Sequence, residues 1–288
     1  MKSNGSQESR RFLRLFLARN EARLGLSIVT VFLAISFVIA FTGKSLLPYN
    51  PIEQNVGPVL ASPSAAHLFG TDNLGRDVFS RILFATPNDL LVSFIVITSS
   101  FAVGIVLGGI AGFWGGILDE ILMRSTDVIF AIPALVLAMS IAVILGPGLV
   151  HMTYALMIIW WPPYARLARG EALQVSQRNF IEAAKTSGTS TLTILRRHLI
   201  PNILTSMLAY ATLDIGTVVV VYAGLSYLGL SVQPPTPDWG SMVNAYQDYL
   251  VSAPWLPLVP AITIAAVVIG FSLLGNALRD ALESQRIS

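Results

Sequence analysis

Six apolar stretches divide this chain, and no other feature limits its fold so sharply. They cover residues 24–42, 90–112, 128–145, 149–165, 203–228 and 256–275. A helix needs about 20 apolar residues to cross the hydrocarbon layer of a bilayer. The third and fourth stretches are a little short, and only Gly146-Pro147-Gly148 joins them. That tripeptide predicts a tight turn between antiparallel helices, because it breaks a helix firmly. Only 12% of the residues are charged, about half the share in an ordinary soluble domain, roughly 25%. Lipid must therefore solvate most of the surface, and the expected fold is all-α: a polytopic membrane protein of six transmembrane helices.

The first stretch follows basic residues, as a secretory leader would. It is longer than a usual leader core of about 7–15 residues. The residues after it, Gly43-Lys44-Ser45-Leu46-Leu47-Pro48, offer no small-x-small cleavage site. It reads as an uncleaved first span.

Cation placement orients the spans. With six spans both termini share a side. If that side is the cytoplasm, it holds fifteen Lys and Arg, against three outside: Lys44, Arg76 and Arg81. A different span count would scramble this asymmetry. The expected organisation is a cytoplasmic tail (1–23), a first transmembrane helix (24–43) and an extracytoplasmic segment (44–88). A five-helix core (89–278) with a cytoplasmic loop (166–200) follows, then a cytoplasmic tail (279–288). A second outer segment, 229–255, carries no cation and is Pro-rich. Its Trp239, like Trp255, suits a membrane interface.

Within the spans, Gly104, Gly108 and Gly112 recur every fourth residue and form a flat face for close helix packing, inside this chain or against a partner. Pro133 should kink the third span, and Pro162-Pro163 should end the fourth. Asp214 is the one acidic residue deep in a stretch. A charge there costs about 2.5–3.5 kcal/mol on insertion scales, so it should face a bundle interior or a wet cavity. It either lines a solute path or packs against a hydroxyl or backbone partner. His151 reads as an interfacial polar residue.

Several apparent motifs fail. Gly43-Lys44-Ser45 resembles the end of a P-loop, but Val38 stands where the leading Gly is required. The sequon Asn4-Gly5-Ser6 falls on the expected cytoplasmic side. The three His, at 67, 151 and 198, lie in separate segments, and there is no Cys. No nucleophile–base pair or metal-ligand spacing is visible, and the net charge of +2 gives a nucleic-acid role little support. No catalytic residue, metal site or cofactor is expected in this chain.

The 166–200 loop is polar and helical in pattern. Residues 171–187 lack Pro and Gly and predict a helix. Gly188 can stop it at positive φ, Thr189 or Ser190 can cap a second short helix, and Pro201 opens the next span. Such a jointed loop is either a rigid knob for a soluble partner or an amphipathic segment lying on headgroups.

Three motifs favour the knob. Glu182-Ala183-Ala184, three residues, Gly188, nine residues and His198-Leu199-Ile200-Pro201 resemble the EAA loop of ABC-importer permeases. Arg197-His198, with Pro201-Asn202, is similar to the ending usual in the peptide and nickel branch. Residues 67–81, HLFGTDNLGRDVFSR, resemble the H-x-x-GTD-x-x-GRD-x-x-SR signature of C-type dipeptide, oligopeptide and nickel permeases. Residues 225–230, LSYLGL, and 234–240, PPTPDWG, resemble a further segment of that branch. Tyr222 and Asn276 depart from the Glu and Asp common there.

The resemblance implies a type I ABC-importer transmembrane domain in the bacterial inner membrane and an ATP-driven import of short peptides. Nickel or metal chelates and glutathione-like solutes are alternative cargoes, and a proton-coupled secondary transporter is the alternative of another class. The implied partners are a B-type permease subunit, two ATP-binding cassette subunits that carry ATP-Mg, and an extracytoplasmic solute-binding protein. Glu182, Ala183, Ala184, Gly188, Arg197, His198 and Pro201 would couple to the ATPase. Asp214 and Tyr222 would belong to the translocation pathway. Pro235, Asp238 and Trp239 would receive the binding protein, which largely sets specificity.

Overall fold

A computed structural model describes residues 16–287. Lys2, Arg10, Arg11, Arg14 and the sequon at Asn4 lie outside the described residues. The fold is helical: α1 (Asn20–Thr42), α2 (Val78–Trp114), α3 (Gly116–Phe130), α4 (Ala134–Leu145), α5 (Leu149–Ser176), α6 (Asn179–Thr186), α7 (Thr191–Ile194), α8 (Ile200–Tyr227), α9 (Trp239–Tyr246) and α10 (Trp255–Ile287). Four helices contain stretches long and apolar enough to cross a membrane: Asn20–Thr42, Val78–Trp114, Met207–Tyr227 and Trp255–Leu282. The pair α3 and α4 counts as a fifth when taken as one broken span, bent by 85°.

That bend corrects the third span. Ala131-Ile132-Pro133 separates two helices. With 12 residues, α4 rises only about 18 Å, too short to cross alone. Pro133 cannot donate a backbone hydrogen bond, and the chain breaks there instead of kinking. The 113–127 segment is correspondingly mostly helix, not loop. The pair still leads from the end of α2 to the Gly146–Gly148 turn, whose Gly148 N–H reaches the Leu230 carbonyl at 3.2 Å.

Pro162 and Pro163 do not end α5. The helix runs through both to Ser176, so residues 166–176, expected in the loop, continue that helix. Neighbouring helices make such prolines tolerable in membrane bundles. The helix expected over 171–187 is in turn interrupted at Gln177-Arg178.

Glycines set the helix packing. A Cβ on Gly104 would lie 2.3 Å from Tyr164 Cβ, one on Gly108 2.1 Å from the Ala165 carbonyl oxygen, and one on Gly112 2.6 Å from the Arg169 carbonyl oxygen. The stripe therefore seats α2 on α5 of the same chain, with the two helices parallel. Gly25 meets Gly270 and Leu274, so α1 and α10 run antiparallel; Gly275 meets Leu213, and Gly216 meets Val268, so α8 and α10 do too. These directions alternate as successive crossings must. Arg19, the N-cap of α1, and Asp280 of α10 form an ion pair, so the start of α1 and the last turns of α10 share one end of the bundle.

Candidate functional site

The described parts of the functional region sit at opposite ends. At the end shared with the start of α1, the chain leaves α5, forms α6 and α7, and enters α8. Ile181, Ile194, Leu199 and Ile203 are fully buried or nearly so and anchor this loop to the bundle. Its other face is open: Glu182, Ala183, Gly188, Arg196, Arg197 and Pro201 are exposed, while Ala184 and His198 are half-buried.

Local chemistry explains the joint. Gly188 adopts φ 74°. Thr189 N–H returns to the Ala184 carbonyl at 3.0 Å, the bond that closes a helix C-terminus around a left-handed residue. A Cβ at Gly188 would meet nothing within 4 Å. Its requirement for Gly is conformational, not steric, inside this chain. Ser190 Oγ accepts from Thr193 N at 3.4 Å and starts the next helix. Between α7 and α8 the chain widens into a π-turn, Leu195–Leu199. There Asn202 Nδ2 donates to the His198 carbonyl at 2.7 Å, in the turn where Pro201 brings no N–H. From Thr191 onward the loop and α8 are thus one continuous helical rod.

Two arginines brace α3 against α5 at the same end. Arg169 pairs with Asp119, its Nη2 at 2.6 Å, and Arg166 pairs with Asp127. Arg166 also donates from Nε to Thr126 at 3.0 Å and lies 4.3 Å over the Phe130 ring.

At the opposite end, residues 44–77 fold around buried Asp72. Its Oδ1 accepts from Leu74 and Arg76 N–H, each at 2.9 Å. Its Oδ2 accepts from Arg76 Nε at 2.7 Å and from Tyr246 O–H at 3.0 Å, with Arg81 Nε 3.9 Å away. Burial holds the Tyr246 phenol above its usual range, so it stays a donor. Asp77 caps α2 through Ser80 N at 2.8 Å and faces His67 Nδ1 at 2.9 Å. Arg81 reaches the Pro51 carbonyl at 2.8 Å. A Cβ on Gly70 would strike the Ala61 carbonyl oxygen at 2.4 Å, and one on Gly75 the Gly57 carbonyl oxygen at 2.6 Å. The signature at 67–81 is thus a loop-building device. Its motif spacing was visible in the sequence; its partners Tyr246 and Pro51 were not.

The second outer segment docks on the first and on α2. Asp238 is fully buried, caps α9 at Ser241 N (3.0 Å), and accepts from Tyr222 O–H at 2.9 Å and from Ser226. Trp239 is 1% exposed; its backbone N–H reaches Asp89 at 3.0 Å and its ring N–H the Ile82 carbonyl at 3.2 Å. This corrects the expectation that Asp238 and Trp239 offer their side chains to an incoming protein and that Trp239 sits at the membrane interface. Both are buried inside the chain, and of the three docking candidates only Pro235 is exposed. Tyr222 is likewise 1% exposed, with its hydroxyl also 2.6 Å from Ser231 Oγ. Asp89, within α2, is a further buried acid, one residue before the second apolar stretch.

Asp214 lies near the middle of the apolar part of α8 and is half-buried. Its Oδ2 accepts from Trp160 Nε1 at 2.6 Å and from Tyr164 O–H at 3.1 Å, both on α5. His151 Nδ1 stands 3.0 Å from the Gly146 carbonyl oxygen, inside the turn that it follows. Among the described residues no three His, Cys, Asp or Glu gather as a metal site would require.

Residues 104–287 match the family described as "Binding-protein-dependent transport system inner membrane component". A glutathione transport system permease protein, GsiD, from Pectobacterium atrosepticum is 37% identical over 275 residues, covering 95% of this chain and 90% of that protein. A dipeptide transport system permease protein, DppC, from Alkalihalophilus pseudofirmus is 38% identical over 263 residues, covering 91% of this chain and 85% of that protein. Among solved structures, an inward-facing MetNI methionine ABC transporter aligns with a TM-score of 0.58 at 19% identity, over 71% of this chain and 97% of that one. At that identity the likeness speaks for the fold. The packed helices, the alternating directions and the family match agree: this multi-pass membrane protein belongs to the family of inner membrane permease components of binding-protein-dependent ABC transport systems.

Proposed function

We propose that this chain is the C-type permease subunit of an ATP-driven importer of short peptides, and that with a B-type permease it encloses the solute route. The observation that carries this reading is the loop at 179–199: apolar residues anchor it beneath, and Glu182, Ala183, Gly188, Arg196 and Arg197 are exposed on its other face. A solute-binding protein and two ATPase subunits complete the system, with ATP-Mg on the latter. The dipeptide and glutathione relatives support a peptide cargo, glutathione being itself a short peptide. Family membership favours this reading over a proton-coupled secondary transporter.

Six crossings with both termini in the cytoplasm account for the alternating helix directions and the cation asymmetry. Closure of the ATPases beneath Glu182, Ala183, Ala184 and Gly188 would push the rod from Thr191 through Arg197, His198 and Pro201 into α8. Such a rod passes displacement on because it has no hinge. At the other end, Pro235 and its exposed neighbours would meet the binding protein, held in place by Asp238 and Trp239. Tyr222 would act on the route by fixing that segment to α8.

The test is uncoupling. In the reconstituted complex, Glu182→Arg and Gly188→Ile should leave assembly intact and lower peptide uptake at least tenfold per ATP hydrolysed. Wild-type coupling in both variants defeats the proposal.

A further inference from the structure

Asp214 is held by donors but not neutralised. Trp160, Tyr164 and the Thr217 side chain all hydrogen-bond to it, and all are uncharged. Among the described residues no Lys, Arg or His pairs with it; the ion pairs lie at the ends of the bundle. A carboxylate so placed stays oriented.

Asp214 sits at the edge of the buried face of α8: Met207 and Val218 beside it are fully buried, while Thr217 and Tyr210 on its other side are exposed, Tyr210 by 38%. The Tyr210 ring packs edge-on against Tyr164, centroids 5.3 Å apart, so aromatic surface flanks the carboxylate. Hydrocarbon is a poor neighbour for this arrangement. A carboxylate at mid-bilayer faces a bundle interior or water, not lipid. The open side of Asp214 therefore lies along a polar route, and what it presents there is an oriented carboxyl group beside the exposed Tyr210 ring. Carboxylates with aromatic neighbours bind ammonium groups, by charge and by attraction to the ring faces.

We propose that Asp214, with Tyr210, Tyr164, Trp160 and Thr217, forms a subsite for the ammonium group of a peptide on the solute route through this chain. The proposal rests on the peptide-import reading above and names the group that the route recognises.

The experiment uses the complete transporter with its binding protein in proteoliposomes and a radiolabelled dipeptide with a free amino terminus. Asp214→Asn keeps the shape and removes the carboxyl group; dipeptide uptake should fall about tenfold or more, with the complex assembled. Asp214→Glu restores the carboxyl group and should recover at least half of wild-type uptake. Tyr210→Leu removes only the exposed ring and should raise the half-saturating dipeptide concentration several-fold; it also serves if Asp214→Asn does not assemble. Uptake by Asp214→Asn equal to wild type, equal damage in Asp214→Glu, or an unchanged half-saturation in Tyr210→Leu overturns the subsite while leaving peptide import standing. A wild-type complex that hydrolyses ATP but carries no peptide overturns the import reading, and the subsite with it.

Discussion

At the scale of single residues, the costliest groups in this protein are buried charges, held by partners both near and far in sequence. Asp72 is the clearest case, with two backbone N–H groups, Arg76 and the Tyr246 hydroxyl around one carboxylate. Removing one partner of a buried ion pair strands the other, at about 3–5 kcal/mol. Asp72→Asn should therefore lower the thermal midpoint of the purified protein markedly and reduce its abundance in membranes. An unchanged midpoint would mean that Arg76 finds another partner. The sequence announced this site only as a motif. GTD-x-x-GRD shows that Gly, Asp and Arg recur at fixed spacing, and nothing in it shows that Asp72 is fully buried or that Tyr246 closes the cluster. Asp238 and Trp239 misled for the same reason. A Pro-rich stretch between apolar spans reads as exposed, and only the bonds to Tyr222, Ser226, Asp89 and Ile82 reveal that it folds inward.

At the scale of helices, local signals were the legible ones. The four-residue period of Gly104, Gly108 and Gly112 is a property of one helix face, and that face does carry the closest packing. Gly188 reads as a stop because a positive φ is a property of one residue. Proline was less informative. Pro162-Pro163 look like a helix end, yet α5 continues to Ser176; Pro133 looks like a kink and proves a break with an 85° turn. A proline removes one hydrogen bond wherever it sits, and the surrounding bundle decides whether the helix survives. The packing gives a matched test. Gly108→Ala would push a Cβ to 2.1 Å from the Ala165 carbonyl oxygen, whereas the same change at Gly109 meets nothing nearer than Ile203 Cδ1 at 3.9 Å. Overpacking of this kind costs about 1–3 kcal/mol. Gly108→Ala should lower the thermal midpoint, and Gly109→Ala should leave it within error. Equal effects would contradict the parallel contact of α2 and α5.

At the scale of the whole molecule, two ends differ in kind. One, residues 44–77 and 229–254, buries Asp72, Arg76, Asp77 and Asp238. The other is an anchored loop whose charges and small residues are left open. In the sequence, long apolar stretches and cation placement assign these two ends to opposite sides of the membrane. The lack of any Cys makes it directly testable, since a single introduced thiol is unique in the chain. Val251 is 96% exposed at the outer end, and Ala183 is exposed on the loop. In intact cells an impermeant thiol reagent should label Val251→Cys and spare Ala183→Cys; the reverse pattern would invert the molecule. The most direct measurement is cross-linking from Ala183→Cys in the assembled complex with a short bifunctional reagent. The loop should join to an ATPase subunit, and the yield should change with nucleotide. Efficient linkage from Val251→Cys to that subunit, with none from Ala183→Cys, would contradict the account.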